Sequence, residues 1–446
     1  MGLDLLMQET LLTFPKGGVH PPESKNLSEH LSIETLPLPE EVDILLQQHF
    51  GAPCKSVVDK KAKVTEGDVI GEVGGGLGAS VHASVTGTVK GVGASTNPVS
   101  VTSASVTIQT DRDAPAKTYP LEDWRSLPAD ELKKRVKAAG IVGIGGAGFP
   151  THVKLSPPPE AKVDMLLING VECEPYLTTD HRVMLEHPAE IIEGAKIILA
   201  MLGIKECHIG IEANKMDAVE TLRKAAADKA SDGFKVSVDA LRVKYPQGSE
   251  KQLIESVTKR RVPGFGLPFD VGVIVQNVGT TKAIYEAVAL NKPLYEKVIT
   301  ITGKGIARPA NLKVRIGTRL SDIVAFLGGT KPDLARIVMG GPMMGFPIST
   351  LDVPVTKTTS GVLFLTEDEI DSRAHSQCIR CGWCMDACPM GLQPNEIGVY
   401  VEAGRAQDTA KFGLFECFEC GCCAFVCPAK RPLVQFIRLA KLKAKR

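Results

Sequence analysis

The sequence carries almost no net charge: 52 Lys and Arg against 51 Asp and Glu leave +1. That excludes a nucleic-acid binder relying on bulk charge. Long apolar runs are missing as well. The best candidate, Ile191 to Leu202, contains Glu193 and Lys196 and falls short of the roughly 20 apolar residues a membrane-spanning helix needs. The opening MGLDLLMQET has acidic residues and no basic segment, so it does not read as a secretory signal. Together these absences describe a soluble chain. Aromatic residues are sparse, at 5%. Cysteine is nearly absent outside one segment, where only Cys54, Cys173 and Cys207 occur. Isolated thiols such as Cys54 and Cys207 usually pack as small apolar residues.

Glycine, by contrast, is abundant at 43 residues, and nine of the 12 cysteines lie between Cys378 and Cys427. Disulfide scaffolds are usually short secreted chains, whereas a cysteine cluster in a large cytosolic chain more often binds metal. Gly-rich turns between apolar strands suit a cofactor held by backbone groups. With 446 residues, 43% of them hydrophobic and 23% charged, the chain has room for about three or more domains with their own cores.

The pattern along the chain divides it into five parts. Residues 1–50 read as an irregular arm, since FPKGGVHPPESK is broken by Pro and Gly, followed by a short helix. Residues 51–115 are short Val- and Thr-rich runs separated by Gly, a small all-β module whose order resembles a barrel-sandwich, lipoyl-like fold. No Lys stands at its modification hairpin; His82-Ala83-Ser84 lies near there instead, so the module reads as structural. Across residues 116–290 apolar β runs such as VDMLLING and VGVIVQNV alternate with helical segments such as HRVMLEHPAEIIEGAKIILAML. That alternation predicts a Rossmann-like parallel sheet covered by helices. Residues 291–366 show a ββαβ pattern, and residues 367–446 carry the cysteines on short helices before a basic amphipathic tail, RLAKLKAKR, read as a solvated helix face. The fold class is multidomain α/β.

Cys378, Cys381, Cys384 and Cys388, followed by Pro389, have the spacing C-x2-C-x2-C-x3-C-P, and Cys417, Cys420, Cys423 and Cys427, followed by Pro428, repeat it. This is the run of two-cluster bacterial ferredoxins, in which the fourth Cys of each motif serves the other cube. The expected 4Fe-4S ligand sets are Cys378, Cys381, Cys384 and Cys427 for one cluster, and Cys417, Cys420, Cys423 and Cys388 for the other. Structural zinc sites would take four ligands each without the shared Cys-Pro ending. Cys422 falls outside the spacing and reads as a packed bystander.

The segment from Gly143 to Pro150, GIGGAGFP, contains a literal G-x-G-x-x-G. A dinucleotide fingerprint must follow a strand and open a helix, whereas here a helical segment precedes the loop and prolines break the segment after it. The motif still supplies a chain of backbone N–H groups able to contact a phosphate or a flavin edge, with Lys154 as a nearby point charge. His20 and His82 stand among residues that do not ligate metals and read as structural.

GIGGAGFPTHVK resembles the signature loop of the FMN- and NADH-binding subunit of respiratory complex I. NGVECEP, YPQGSEKQL and QNVGT resemble that superfamily's later motifs in the same order. Within it the chain is most similar to the RnfC family, peripheral subunits of Rnf ferredoxin:NAD oxidoreductase complexes, where FPKGGVHPPESK, the His82 module, GGPMMG and the two-cluster C-terminus recur. The resemblance implies a soluble-ligand-binding β-grasp (SLBB) domain at 291–366, FMN and two 4Fe-4S clusters as cofactors, and NAD(H) as substrate. It also implies membrane and iron–sulfur subunits as partners, ferredoxin as an indirect one, and a peripheral place on the cytoplasmic face of the membrane.

By the same resemblance Gly143, Gly145, Gly146, Gly148, Phe149 and Lys154 line the FMN and nicotinamide pocket, and Asn169 lies where open α/β sheets bind ligands. Asn277 and Thr280 are expected on the flavin phosphate or ribityl chain, and Glu172 and Glu174 on the nicotinamide side, with Glu250 a further candidate. Position 279 is Gly where complex I usually has Glu, and Glu250 sits in GSE rather than GEE. Two other readings share some features: a soluble NADH-dependent corrin reductase of the PduS type, and a non-catalytic electron-wiring subunit. The first 110 residues argue against the former, and the intact Gly loop with Lys154 against the latter.

Overall fold

A computed structural model describes residues 11–97, 101–228 and 233–445. The N-terminal decapeptide MGLDLLMQET, notable for its lack of basic residues, lies outside them.

Four parallel strands build the central sheet, in the spatial order Lys235–Leu241, Glu206–Glu212, Met165–Asn169 and Val273–Asn277. In chain order these are third, second, first and fourth. The connections therefore diverge on either side of Met165–Asn169, leaving a crevice at its carboxyl end beside Val273–Asn277. Alternate residues of one strand serve two cores: Leu166 and Ile168 face one, and Leu167 faces the other. Helices cover both faces, which is why the strands read as continuous apolar runs. The expected helix HRVMLEHPAEIIEGAKIILAML is two, Thr179–Glu186 and Pro188–Leu202. Pro188 lacks an N–H and fits only a first helical turn.

The short helix expected before Gly51 is a strand. Glu41–Leu45 pairs antiparallel with Val101–Thr110, because Val42 and Ile44 alternate with Asp43 and bury themselves against Ile70, Val106 and Ile108. The β module thus begins before residue 51. The arm is also less irregular than its prolines suggested: Ile33–Thr35 adds a parallel edge strand to Ala310–Arg315 in the six-stranded sheet of the β-grasp region. The ββαβ pattern there appears as Glu296–Thr302, Ala310–Arg315, the helix Leu320–Phe326 and Leu334–Met339.

One buried lysine ties three parts together. Lys357 donates to the carbonyls of Ser80 and Gly140, each at 2.7 Å. His82 is buried beside it, with its basicity suppressed to about 3 by burial, and Ser84 donates to the Ile316 carbonyl at 2.6 Å. The His82 segment is packing between modules.

Candidate functional site

The glycine loop lies over the crevice. Asn169 and Asn277 end the two flanking strands directly opposite each other, and each spends its side chain locally. Asn277 caps the helix Val278–Ala289, its Oδ1 accepting from the N–H of Gly279 at 2.7 Å and Thr280 at 3.3 Å. Its Nδ2 donates to Asp180 at 2.7 Å. Asn169 donates to the Gly248 carbonyl at 2.8 Å and accepts from Val171 N–H at 3.1 Å. Thr280 is wholly buried, and its hydroxyl accepts the Ile144 N–H at 2.9 Å. These three side chains, expected on the flavin, pin the loop and the strand ends.

Gly145, Gly146 and Ala147 are exposed. Gly145 and Gly148 adopt φ of 77° and 69°, the left-handed region open to glycine. A Cβ on Gly146 would meet nothing within 4 Å. A face of unshielded backbone therefore stands beside the amino end of a 12-residue helix. That donor set suits an anionic, phosphate-bearing cofactor such as FMN. The β module props the loop from behind: Phe50 N–H donates to the Gly148 carbonyl at 3.0 Å, and the Phe50 ring stacks on Phe149 at 6.0 Å.

The charged residues are arranged differently from expectation. Lys154 is paired with Glu250 at 2.6 Å. Glu172, expected beside the nicotinamide, caps Thr179–Glu186 by accepting from the N–H of Asp180 at 2.7 Å and His181 at 3.2 Å. Glu174 turns away and accepts from Met343 N–H at 3.1 Å in the GGPMMG loop. Burial pushes its carboxyl up to about 7. The carboxylate beside Asn277 and Gly279 is instead Asp180, pushed upward first by burial and then by Glu172. Lys25, the last residue of FPKGGVHPPESK, donates to the carbonyls of Glu172, Glu174 and Leu177 at 3.0, 2.9 and 2.5 Å. The arm thus clamps the Asn169–Pro175 loop.

None of the 12 cysteines forms a disulfide. Two cavities open among them. One is lined by Cys378, Cys381, Cys384 and Cys427; the other by Cys388, Cys417, Cys420 and Cys423. Each takes three thiols from one motif and the fourth from the other. Among the described residues no three His, Cys, Asp or Glu side chains are grouped as ligands of a single metal ion. The thiols wall a space, which suits a cube rather than a single zinc. Arg431 lines the first cavity and leaves its buried Nε without a partner, a donor available to cluster sulfur. Cys422 also borders the second cavity, beside Cys420, with its Sγ 4.0 Å from the Tyr245 carbonyl.

Three residues of the site escaped the sequence reading. Asp180 looked like an ordinary first-turn acid, Phe50 belongs to another module, and Tyr245 was read only as part of a motif. Nothing local in the sequence marks the first two.

Family models match in chain order: an RnfC barrel sandwich hybrid domain at 12–113, a Nuo51 FMN-binding domain at 136–286, an SLBB domain at 298–347 and a 4Fe-4S dicluster domain at 374–431. The fold and these matches define a flavin- and iron–sulfur-dependent oxidoreductase subunit. The C subunit of a proton-translocating ferredoxin:NAD(+) oxidoreductase complex from Clostridium ljungdahlii is 43% identical over 96% of this chain and 93% of its own length. Its counterpart in the Na(+)-translocating complex of Acetobacterium woodii is 41% identical over 96% of both. The C subunit of an ion-translocating oxidoreductase complex from Rhodobacter capsulatus is 40% identical over 96% of this chain and 82% of its own. The chain belongs to this RnfC family. A crystal structure of NAD+-reducing [NiFe]-hydrogenase in the H2-reduced state shares the fold, with TM-score 0.51 and 17% identity over 74% of this chain and 69% of the other.

Proposed function

We propose that this chain is the peripheral electron-transfer subunit of a membrane-bound ion-translocating complex, working between NAD(H) and ferredoxin on the cytoplasmic face. Among the described residues no helix is long and apolar enough to cross a membrane, so attachment falls to partner subunits. Bound FMN would supply two-electron hydride chemistry towards NAD(H), and 4Fe-4S clusters would supply one-electron transfer.

The chain's own residues then have distinct tasks. Gly145 and Gly146 present backbone to the flavin, while Gly143, bonded to the Phe149 carbonyl, and the buried Gly148 anchor the loop behind them; Phe149 is an apolar wall and Lys154 the charge for a phosphate. Asn169, Asn277 and Thr280 hold that surface in place, and Glu172 fixes the helix that carries Asp180. Glu174 belongs to the seam with the GGPMMG loop. Cys378, Cys381, Cys384 and Cys427 hold one cluster, and Cys417, Cys420, Cys423 and Cys388 the other. Hydride transfer needs no separate acid or base, so the site requires no catalytic triad.

The observation that carries this reading is the unfilled backbone face at Gly146, in one packed body with two four-thiol cavities. The match of residues 12–113 to the RnfC barrel sandwich hybrid domain favours it over a soluble corrin reductase. Anaerobic titration with NADH tests it: bleaching of both flavin and iron–sulfur absorbance is expected. Iron absorbance without flavin, unmoved by NADH, would leave only a wiring role.

A further inference from the structure

We propose that the two cysteine cavities have fixed and opposite orientations. The one walled by Cys388, Cys417, Cys420 and Cys423 faces the flavin domain. The one walled by Cys378, Cys381, Cys384 and Cys427 faces outward, where Ile379, Arg380 and Trp383 form the docking surface for an acidic one-electron redox protein. The inference rests on the proposed function only in taking the cavities to hold iron–sulfur clusters.

The two motifs are internal repeats, so each position has a counterpart that serves as a control. In Cys417-Phe418-Glu419-Cys420-Gly421-Cys422, every residue between the ligands is engaged. Phe418 and the fully buried Cys422 pack with Val19, Tyr245 and Ala387. Glu419 pairs with Arg438 and Lys441, each at 2.8 Å. The Cys420 carbonyl accepts from the Tyr245 hydroxyl at 2.8 Å. On the far side of this cavity Gly18 N–H donates to the Ala387 carbonyl at 2.9 Å, and a Cβ on Gly17 would sit 2.6 Å from the Cys388 carbonyl carbon. Tyr245 leads back through Gly248 to Asn169 at the crevice. This cavity is therefore built into the flavin domain.

The matching positions of the first motif are Ile379, Arg380 and Trp383, around an exposed Cys381. Ile379 is 66% and Trp383 56% exposed. Large apolar side chains stand out in solvent at the same positions where the second repeat is packed against a partner domain. Trp and Arg flanked by apolar surface are the usual anchors of an interface. The charge at the middle position is also inverted. Glu419 meets two cations inside the molecule, whereas Arg380 makes no ion pair among the described residues and calls for a carboxylate from outside. Both residues share a left-handed backbone, with φ of 63° and 57°, so the repeat geometry is preserved while the charge is exchanged. Interfaces of electron-transfer pairs are small and transient, which matches a patch of three side chains. The exchange moves one electron from the reduced centre to the oxidised one, and no bond, proton or group moves with it.

The test uses the full chain, reconstituted anaerobically with iron and sulfide and oxidised, and mixed rapidly with a reduced, acidic two-cluster ferredoxin. Methyl viologen radical serves as a small donor that needs no docking. Trp383→Ala and Arg380→Glu should each slow reduction by the ferredoxin about tenfold or more, the loss expected of a central interface anchor. Arg380→Glu should also remove the acceleration seen at low salt. Viologen rates and iron content should not change. Unaltered ferredoxin rates in both variants, or viologen rates falling in parallel, would overturn the proposal. NADH plays no part in the assay. A chain that takes up no iron therefore contradicts the functional reading as well, while normal iron with unaltered rates sinks the docking surface alone.

Discussion

The Tyr245 hydroxyl donates to the backbone carbonyl of Cys420 at 2.8 Å, and Tyr245 itself is buried. That bond joins the flavin domain to a cluster-ligand segment across 175 residues of sequence. It makes the seam between the two cofactor regions a packed, hydrogen-bonded contact. Losing such a bond would leave a buried carbonyl unsatisfied, at a cost of about 1–3 kcal/mol.

Gly146→Val should leave the fold intact and remove flavin. Space in front of Gly146 is open and its backbone is not in the left-handed region, so a valine costs the empty protein little. The same side chain occupies the face on which cofactor must rest. Flavin per chain should fall sharply while iron and sulfide stay at wild-type values. Normal flavin content would place the pocket elsewhere.

Cys388→Ala should damage the cluster held by Cys417, Cys420 and Cys423, because Cys388 lines that cavity. EPR of the reduced protein should lose or alter one signal. The signal that persists should be the one abolished by Cys381→Ala. If Cys388→Ala and Cys381→Ala remove the same signal, the crossed arrangement is contradicted.

Much of this was legible, for physical reasons that differ from part to part. Iron–sulfur motifs are local: turn geometry fixes the spacing of Cys378, Cys381 and Cys384, so sequence alone carries them. The parallel sheet followed from its apolar runs, since strands buried on both faces have no polar alternation to hide. Glu41–Leu45 was not legible because five alternating residues are a short signal and the strand that fixes them, Val101–Thr110, lies far along the chain. The acidic side of the pocket was harder still. Glu172 and Glu174 stand two residues apart in one motif, yet one caps a helix and the other reaches the β-grasp region, outcomes decided by tertiary packing. Asp180 enters the site only because Asn277, 97 residues away, donates to it.

Glu250→Gln should tighten binding of anions at the glycine loop. Lys154 is neutralised by Glu250 at 2.6 Å, and both side chains are only partly buried. Removing the carboxylate charge frees the ammonium for a phosphate, so the Kd for FMN should fall by up to several-fold, within the range of about 0–1 kcal/mol typical of exposed pairs. Equilibrium dialysis of FMN against the variant checks this. Weaker binding would show that Glu250 contacts the ligand itself.

Lys357 makes stability depend on pH. Burial lowers its pKa to about 7, so between that value and the ordinary lysine range the unfolded chain binds one more proton than the folded one. Stability should therefore rise as pH increases from about 7 towards 10 and be flat below that window on this group's account. Lys357→Met should remove part of the rise, read as urea midpoints at pH 7 and 9. An unchanged slope would show that Lys357 stays charged where it bridges Ser80 and Gly140.

The central claim is that one chain holds a flavin on bare backbone and two four-iron clusters in crossed thiol cavities. Measuring iron, acid-labile sulfide and FMN together on the anaerobically prepared subunit tests it most directly. The account predicts about eight iron and eight sulfide per chain, as two cubane clusters require, with one FMN retained or taken up on addition. Zinc in place of iron, or a chain that binds no FMN at any concentration while its clusters are complete, would contradict it.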